Sequence, residues 1–157
     1  MKTKTKKLLA LAIKVATNAH DGQFDSTGLP YILHPLKVMA ILNTKDELLN
    51  CIAVLHDVVE DTTVTLADLK HLGFPSIVIE AVDALSKRKT SGETYEEYKE
   101  RVFNNYYAMR VKLADLTHNT DITRQKGIRE KDLQCVLKYQ IFYNEITIRL
   151  FNYEKEK

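Results

Sequence analysis

The stretch Leu55-His56-Asp57-Val58-Val59-Glu60-Asp61-Thr62 holds a histidine and three carboxylates inside six positions. It follows Cys51-Ile52-Ala53-Val54-Leu55, a run that needs only to be buried. His56 and Asp57 are neighbours, so on a helix their side chains diverge by about 100°. Both reach one ion only if it sits over that end of the helix, and such an ion needs further ligands from elsewhere. His34 opens an apolar segment after a glycine-bearing loop, and Asp115 interrupts the apolar pattern of Val111, Leu113, Ala114 and Leu116. A carboxylate buried there requires a compensating partner. Two imidazoles and two carboxylates form a mixed N/O set suited to Mn²⁺, Fe²⁺, Zn²⁺ or Mg²⁺, with positions left for water and a phosphate oxygen.

Glu60 lies four residues after His56, on the same face of a continuous helix, with Asp61 beside it. If an ion sits at His56–Asp57, these carboxylates can orient or deprotonate a water that the ion activates. The competing reading is an exposed acidic helix end, which the macrodipole disfavours unless a cation is near. Single histidines and surface aspartates are common, so the spacing of all four proposed ligands carries the expectation. His20 is expected to serve its loop and His71 to sit near a helix C-terminus. His118, between Asp115 and Asn119, is expected to point away from the site.

Helices must position these groups. The first is expected over residues 4–20, followed by a loop, AHDGQFDSTGLPYIL, with two glycines and a proline. HPLKVMAILNT begins a second helix with Pro35 near its first turn, where a missing N–H costs little. Asp46 is placed to cap DELLNCIAVLHDVVE, and Thr65 to cap LADLKHLG, which Gly73 ends. PSIVIEAVDALSK follows, then a polar loop, KRKTSGE, that reads as mobile or as an exposed basic segment. Thr94 with Glu97 makes a capping-box start for YEEYKERVFNN. RVKLADLTHNTDIT and a long segment over about 131–153 complete the series. No alternating strand pattern, linker or repeat interrupts it, so the expectation is one all-α domain over residues 1–157.

A chain of 157 residues can bury about two-thirds of its unfolded surface. Its 45% hydrophobic and 28% charged content is that of an ordinary globular protein. A net charge of +2 gives no argument for nucleic acid or membrane as partner. The basic start MKTKTKK reads as a solvated helix end, with the gathering of anionic substrate as the weaker reading. Lys14 interrupts the apolar run after it, so a signal peptide is not expected, and no run nears the ~18 apolar residues of a membrane span. Cys51 and Cys135 lack metal spacing and read as buried free thiols of a cytoplasmic protein.

In order, AHDGQ…GLPYILHPLKVMAIL, AVLHDVVEDTTVTLADL and VKLADLTHN resemble the hydrolase domain of the RelA/SpoT family, most of all its stand-alone small alarmone hydrolases in the HD-domain superfamily. The resemblance covers about residues 10–125, with the segment over 131–153 as a packing helix. It implies an all-α HD helical bundle with one Mn²⁺-type site held by His34, His56, Asp57 and Asp115. It also implies Glu60 and Asp61 as the catalytic pair, and contacts to a nucleotide from Asn119 and Lys112. The implied reaction is hydrolysis of the 3′-diphosphate of (p)ppGpp, a small-molecule substrate, to GDP or GTP and pyrophosphate. A homo-oligomer is compatible with the sequence.

Asp25 stands where the family carries an arginine that packs on guanine, and losing that cation removes ~1 kcal/mol or more of base recognition. Leu116, Asp121 and Ile122 likewise replace residues of the family pattern. These departures keep two alternatives open: another nucleotide substrate, such as NADPH or a nucleotide 2′- or 3′-phosphate, and a non-catalytic nucleotide-binding regulator. The second half also resembles short HD proteins with YxxYxxR followed by ADLxxNxDxxR, here Tyr95, Tyr98 and Arg101, then Asp115, Asn119, Asp121 and Arg124. That pattern permits a packed aromatic face with Arg101 or Arg124 paired to Asp121. It equally permits Arg101 or Arg124 to grip a phosphate with a planar donor fork.

Overall fold

The computed structural model describes the backbone of residues 2–156 and the side chains of residues 7–156. Apart from Lys7, the basic start expected to form a solvated helix end has its side chains outside the described residues. The helices are α1 (Lys2–Ala19), α2 (Leu33–Leu42), α3 (Glu47–Leu55), α4 (Val58–Asp61), α5 (Leu66–His71), α6 (Ser76–Leu85), α7 (Tyr95–Phe103), α8 (Tyr106–Asn119) and α9 (Glu130–Lys155). A 3-10 turn, Ile122–Arg124, links α8 to α9. Among the described residues the only bridge pairing is the isolated one between Phe24 and Pro30. The expected all-α fold is the observed one.

Local chemistry explains most of the boundaries. Asp46 accepts the N–H groups of Leu48 and Leu49 at 2.9 and 3.2 Å and so starts α3. Thr65 with Asp68 and Thr94 with Glu97 form reciprocal capping boxes for α5 and α7. Asn105 caps α8 through the Ala108 N–H. Gly73 adopts φ +90 after α5, a conformation that favours glycine.

DELLNCIAVLHDVVE is not one helix. α3 ends at Leu55 and the backbone re-forms a helix at Val58. His56 Nδ1 lies 2.7 Å from the Ala53 carbonyl, the acceptor that a continued helix would offer to the Asp57 N–H. A side chain has captured a backbone acceptor, and the helical ladder breaks there.

α3 is the central helix, with Leu49 and every residue from Cys51 to Leu55 buried. It packs against α1, α2, α6 and α8, while α8 also packs against α2 and α9. Each buried Leu, Ile or Val contributes about 1.5–3 kcal/mol. That is the anchoring that lets α3 carry a polar cluster at its C-terminal end. Cys51 is buried as expected, but Cys135 is exposed: it lies on the face of α9 that carries Phe142 two turns later, at a level where that face borders an open cavity rather than packed side chains.

Candidate functional site

His34 at the start of α2, His56 and Asp57 after α3, and Asp115 in α8 converge. His34 Nε2 lies 3.4 Å from Asp57 Oδ2 and 3.0 Å from Asp115 Oδ1. His56 Nε2 lies 3.0 Å from Asp57 Oδ2 and 3.6 Å from Asp115 Oδ1. Ligand atoms bound at 2.0–2.2 Å in octahedral or tetrahedral geometry stand about 2.8–3.6 Å apart, so these edges match a divalent ion. His34, His56 and Asp57 form a group whose ligand atoms all lie within 4.8 Å of one another.

The outer nitrogens fix the tautomers. His56 Nδ1 donates to the Ala53 carbonyl, which turns Nε2 in toward the two carboxylates, buried and without a well-aligned hydrogen bond. A buried nitrogen left without a well-formed hydrogen bond beside two carboxylates is what a metal ligand looks like before the ion displaces its proton. His34 Nδ1 meets His118 Nδ1 at 2.6 Å. Burial first, then the Arg124 charge, brings the His118 imidazole down to about 4, so it is neutral and can accept the His34 proton. His118 therefore does not point away, as its place in the sequence suggested. It sits one helical turn beyond Asp115 and meets His34 across the contact between α2 and α8.

The carboxylates are held as firmly. Tyr31 donates its hydroxyl to Asp57 Oδ2 at 2.6 Å. Lys112 donates to Asp115 Oδ2 at 2.7 Å, and Asn119 Nδ2 to Asp115 Oδ1 at 2.8 Å. Burial pushes Asp57 up, but the His56 charge and the His34 and His56 hydrogen bonds outweigh it and hold the carboxyl well below its usual range. Asp115 is held down in the same way, against burial, by Lys112 and the two imidazoles. Burial alone would lower His34 and His56, yet Asp57 and Asp115 raise both.

Glu60 and Asp61 line the same cavity of about 460 Å³ as the four clustered residues, a size within the range of small-molecule sites. Glu60 Oε1 accepts the Lys87 backbone N–H at 2.6 Å, and Lys89 Nζ lies 2.8 Å from Asp61 Oδ1 and 3.6 Å from Glu60 Oε2. The loop expected to be a mobile basic segment is thus tied to the acid pair. Lys112, Asn119 and Arg124 also line the cavity, as do Phe24, Ile122 and Ile128, whose exposed side chains give it an apolar wall.

Arg101 is not brought to this cavity. Its guanidinium pairs with Glu93 at 2.6 and 2.9 Å and donates to the Asp83 and Ser86 carbonyls, so it clamps the loop after α6 and has no fork left for a phosphate. Neither arginine pairs with Asp121, which caps the 3-10 turn through Thr123. Arg124 instead donates to the His118 carbonyl at 2.9 Å and lies 3.6 Å from Asp25. Asp25 also accepts from Thr27 and Leu29, closing its own loop. Leu116 is fully buried and faces the core.

The HD domain model matches residues 12–130. The chain belongs to the HD-domain family. This HD domain is 36% identical over 124 residues to the bifunctional (p)ppGpp synthase/hydrolase SpoT of Escherichia coli K12, covering 72% of this chain and 18% of that protein. It is 39% identical over 116 residues to a guanosine-3′,5′-bis(diphosphate) 3′-pyrophosphohydrolase of Haemophilus influenzae, covering 67% of this chain and 17% of that one. The chain thus spans under a fifth of the length of these two relatives. Among solved structures, a metazoan ortholog of SpoT described as hydrolysing ppGpp superposes with a TM-score of 0.72 at 25% identity, over 91% of this chain and 85% of that one.

The sequence reading passed over Tyr31 and misplaced His118. Tyr31, three residues before His34 at the entry to α2, had a spacing that could have found it. His118 had none, because its contact crosses 84 residues. Replacing His118 by alanine is expected to weaken Mn²⁺ binding about 10–100-fold, since it frees the His34 ring. Calorimetric titration of Mn²⁺ into the variant checks this, and wild-type affinity would refute the orienting role.

The pH dependence follows from the same contacts. Raised histidines contribute stability that is complete below their ordinary 6.5 and is lost as pH rises through the raised values. The lowered aspartates contribute stability present above 3.8 and lost as pH falls toward their depressed values. Metal-free protein is expected to lose melting temperature on both flanks. Mn²⁺ should remove the alkaline loss and release protons on binding. Melting curves across pH, with and without Mn²⁺, read this directly; a metal-free melting temperature flat across the alkaline flank would contradict it.

Proposed function

We propose that this HD domain is a metal-dependent pyrophosphohydrolase that removes the 3′-diphosphate of (p)ppGpp, yielding GDP or GTP and pyrophosphate. The observation that carries this reading is the meeting of the four-residue cluster and the Glu60–Asp61 pair on one cavity. The three relatives named above, each described as hydrolysing this class of nucleotide, support the substrate class.

His34, His56, Asp57 and Asp115 are the residues that would hold the ion, with Mn²⁺ as the family's choice. When bound, a divalent ion supplies Lewis-acid polarisation of a phosphoryl oxygen and a lowered pKa for water. Glu60 and Asp61 orient the attacking water and accept its proton. Lys89, bridging both carboxylates, fixes their orientation and adds positive charge beside the cavity. Lys112 and Asn119 hold Asp115 in register and present polar atoms to the nucleotide from the cavity floor. Arg124 stands beside Asp25 and returns a cation to the loop where the resembled family carries an arginine.

A second reading keeps the site and changes the substrate to another nucleotide carrying a 2′- or 3′-phosphate, such as NADPH. Asp25, spent on its own loop and on Arg124, favours keeping it. A non-catalytic regulator is the weaker reading, because a binder has no need of the acid pair. A turnover screen of Mn²⁺-loaded protein against ppGpp, pppGpp and NADPH separates the three. Pyrophosphate from ppGpp supports the first, phosphate from NADPH the second, and saturable binding without turnover the third.

A further inference from the structure

α9 turns Phe142, Ile146 and Leu150 into the core, with Tyr139 and Tyr143 partly buried beside them. On its other side Leu133, Leu137, Ile141, Ile148 and Phe151 are each more than half exposed. At about 100° per residue these five fall within an arc of about 80°. Asn144 lies in the same arc, and its side-chain oxygen already accepts from Gln140 at 3.1 Å. Leu137, Ile141, Asn144, Ile148 and Phe151 repeat at alternating steps of four and three, the spacing of a coiled-coil seam.

The charges of this stretch are kept off the seam. Lys138 sits over the Tyr95 ring at 3.9 Å, Glu145 pairs with Lys99 at 2.7 Å, and Arg149 sits over the Phe103 ring at 3.9 Å. Charge returns to the arc only at its ends, with Glu130 at the start of the helix and Lys155 at its finish.

We propose that this face is a homodimer interface, in which α9 packs antiparallel against α9 of a second copy of this chain. The pattern is self-complementary in that direction. A seam register that sets Leu137 against Ile148 of the partner subunit also sets Glu130 against Lys155 of the partner subunit, at both ends of the contact. A parallel pair would instead oppose like charges at each end. A two-fold axis demands this kind of self-matching surface. Each of the five side chains exposes on the order of 100 Å², so pairing two copies removes on the order of 1,000 Å², at the lower edge of specific interfaces. A core free of charge with polar flanks is the composition such interfaces have.

Light scattering on the full chain is expected to give twice 18.1 kDa at micromolar concentrations. Leu137→Glu and Ile148→Lys should each raise the dimer Kd at least about 100-fold, with helical circular dichroism unchanged because both positions are exposed. The double variant should dimerise again, since only the antiparallel register brings the two opposite charges together. A monomer up to millimolar concentration overturns the proposal and leaves the face to a different protein. A dimer indifferent to both single substitutions, or a double variant that stays monomeric, overturns it equally.

Discussion

Asp115→Ala is expected to abolish Mn²⁺ binding and to lower the melting temperature of the metal-free protein by about 6–20 °C. The carboxylate is buried and serves four partners at once: Lys112, Asn119, His34 and His56. Removing it leaves the buried Lys112 ammonium without its carboxylate partner and both raised imidazoles with Asp57 alone. Breaking a buried ion pair from one side costs about 3–5 kcal/mol, and a domain of this size shifts by about 2–4 °C per kcal/mol. Adding Lys112→Met should recover most of the stability, because it removes the stranded charge, but none of the metal. Metal content by elemental analysis and thermal melts of the two variants read the two effects apart. An Asp115→Ala protein that binds Mn²⁺ with wild-type affinity would remove Asp115 from the proposed ligand set.

Glu60→Gln is expected to leave metal content unchanged and to lower turnover by about 10²–10⁴-fold, the range of a lost general base. The substitution is close to silent structurally. The amide oxygen can still accept the Lys87 N–H, and only the negative charge facing Lys89 disappears. His56→Ala and Asp57→Ala, in contrast, should lose metal and turnover together. Measuring kcat against metal occupancy for the three variants separates water activation from ion binding. A Glu60→Gln enzyme within two- or three-fold of wild type would end the assignment of Glu60 as base.

The residue types that could hold an ion were legible in the chain, because a buried histidine-carboxylate set has few other uses. Helix starts were legible too: Asp46, Thr65 and Thr94 cap where their spacing said they would, since a cap acts on N–H groups two or three residues away. The break at His56–Asp57 was not. It depends on a side chain outcompeting the backbone for the Ala53 carbonyl, which periodicity cannot register.

The fates of the arginines and of His118 were equally hidden. The sequence pattern singled out Arg101 and Arg124 and left open whether each would meet a phosphate or Asp121. Glu93 closed the question for Arg101, and Asp25 met Arg124 from a loop 99 positions upstream. The KRKTSGE loop read as mobile because it is polar and holds a glycine, yet Lys89 reaches Asp61 across 28 positions.

By itself, then, the sequence determined the all-α class and the helix caps, which rest on interactions within a turn or two of helix, and it supplied the inventory of candidate ligands and acids. The tertiary structure alone decided which nitrogen of each histidine faces the cluster, which cations line the cavity, and which face of α9 is left bare. Those outcomes depend on how helices far apart in the chain rotate against one another to bury α3. That rotation is set by packing over the whole core rather than by any local spacing.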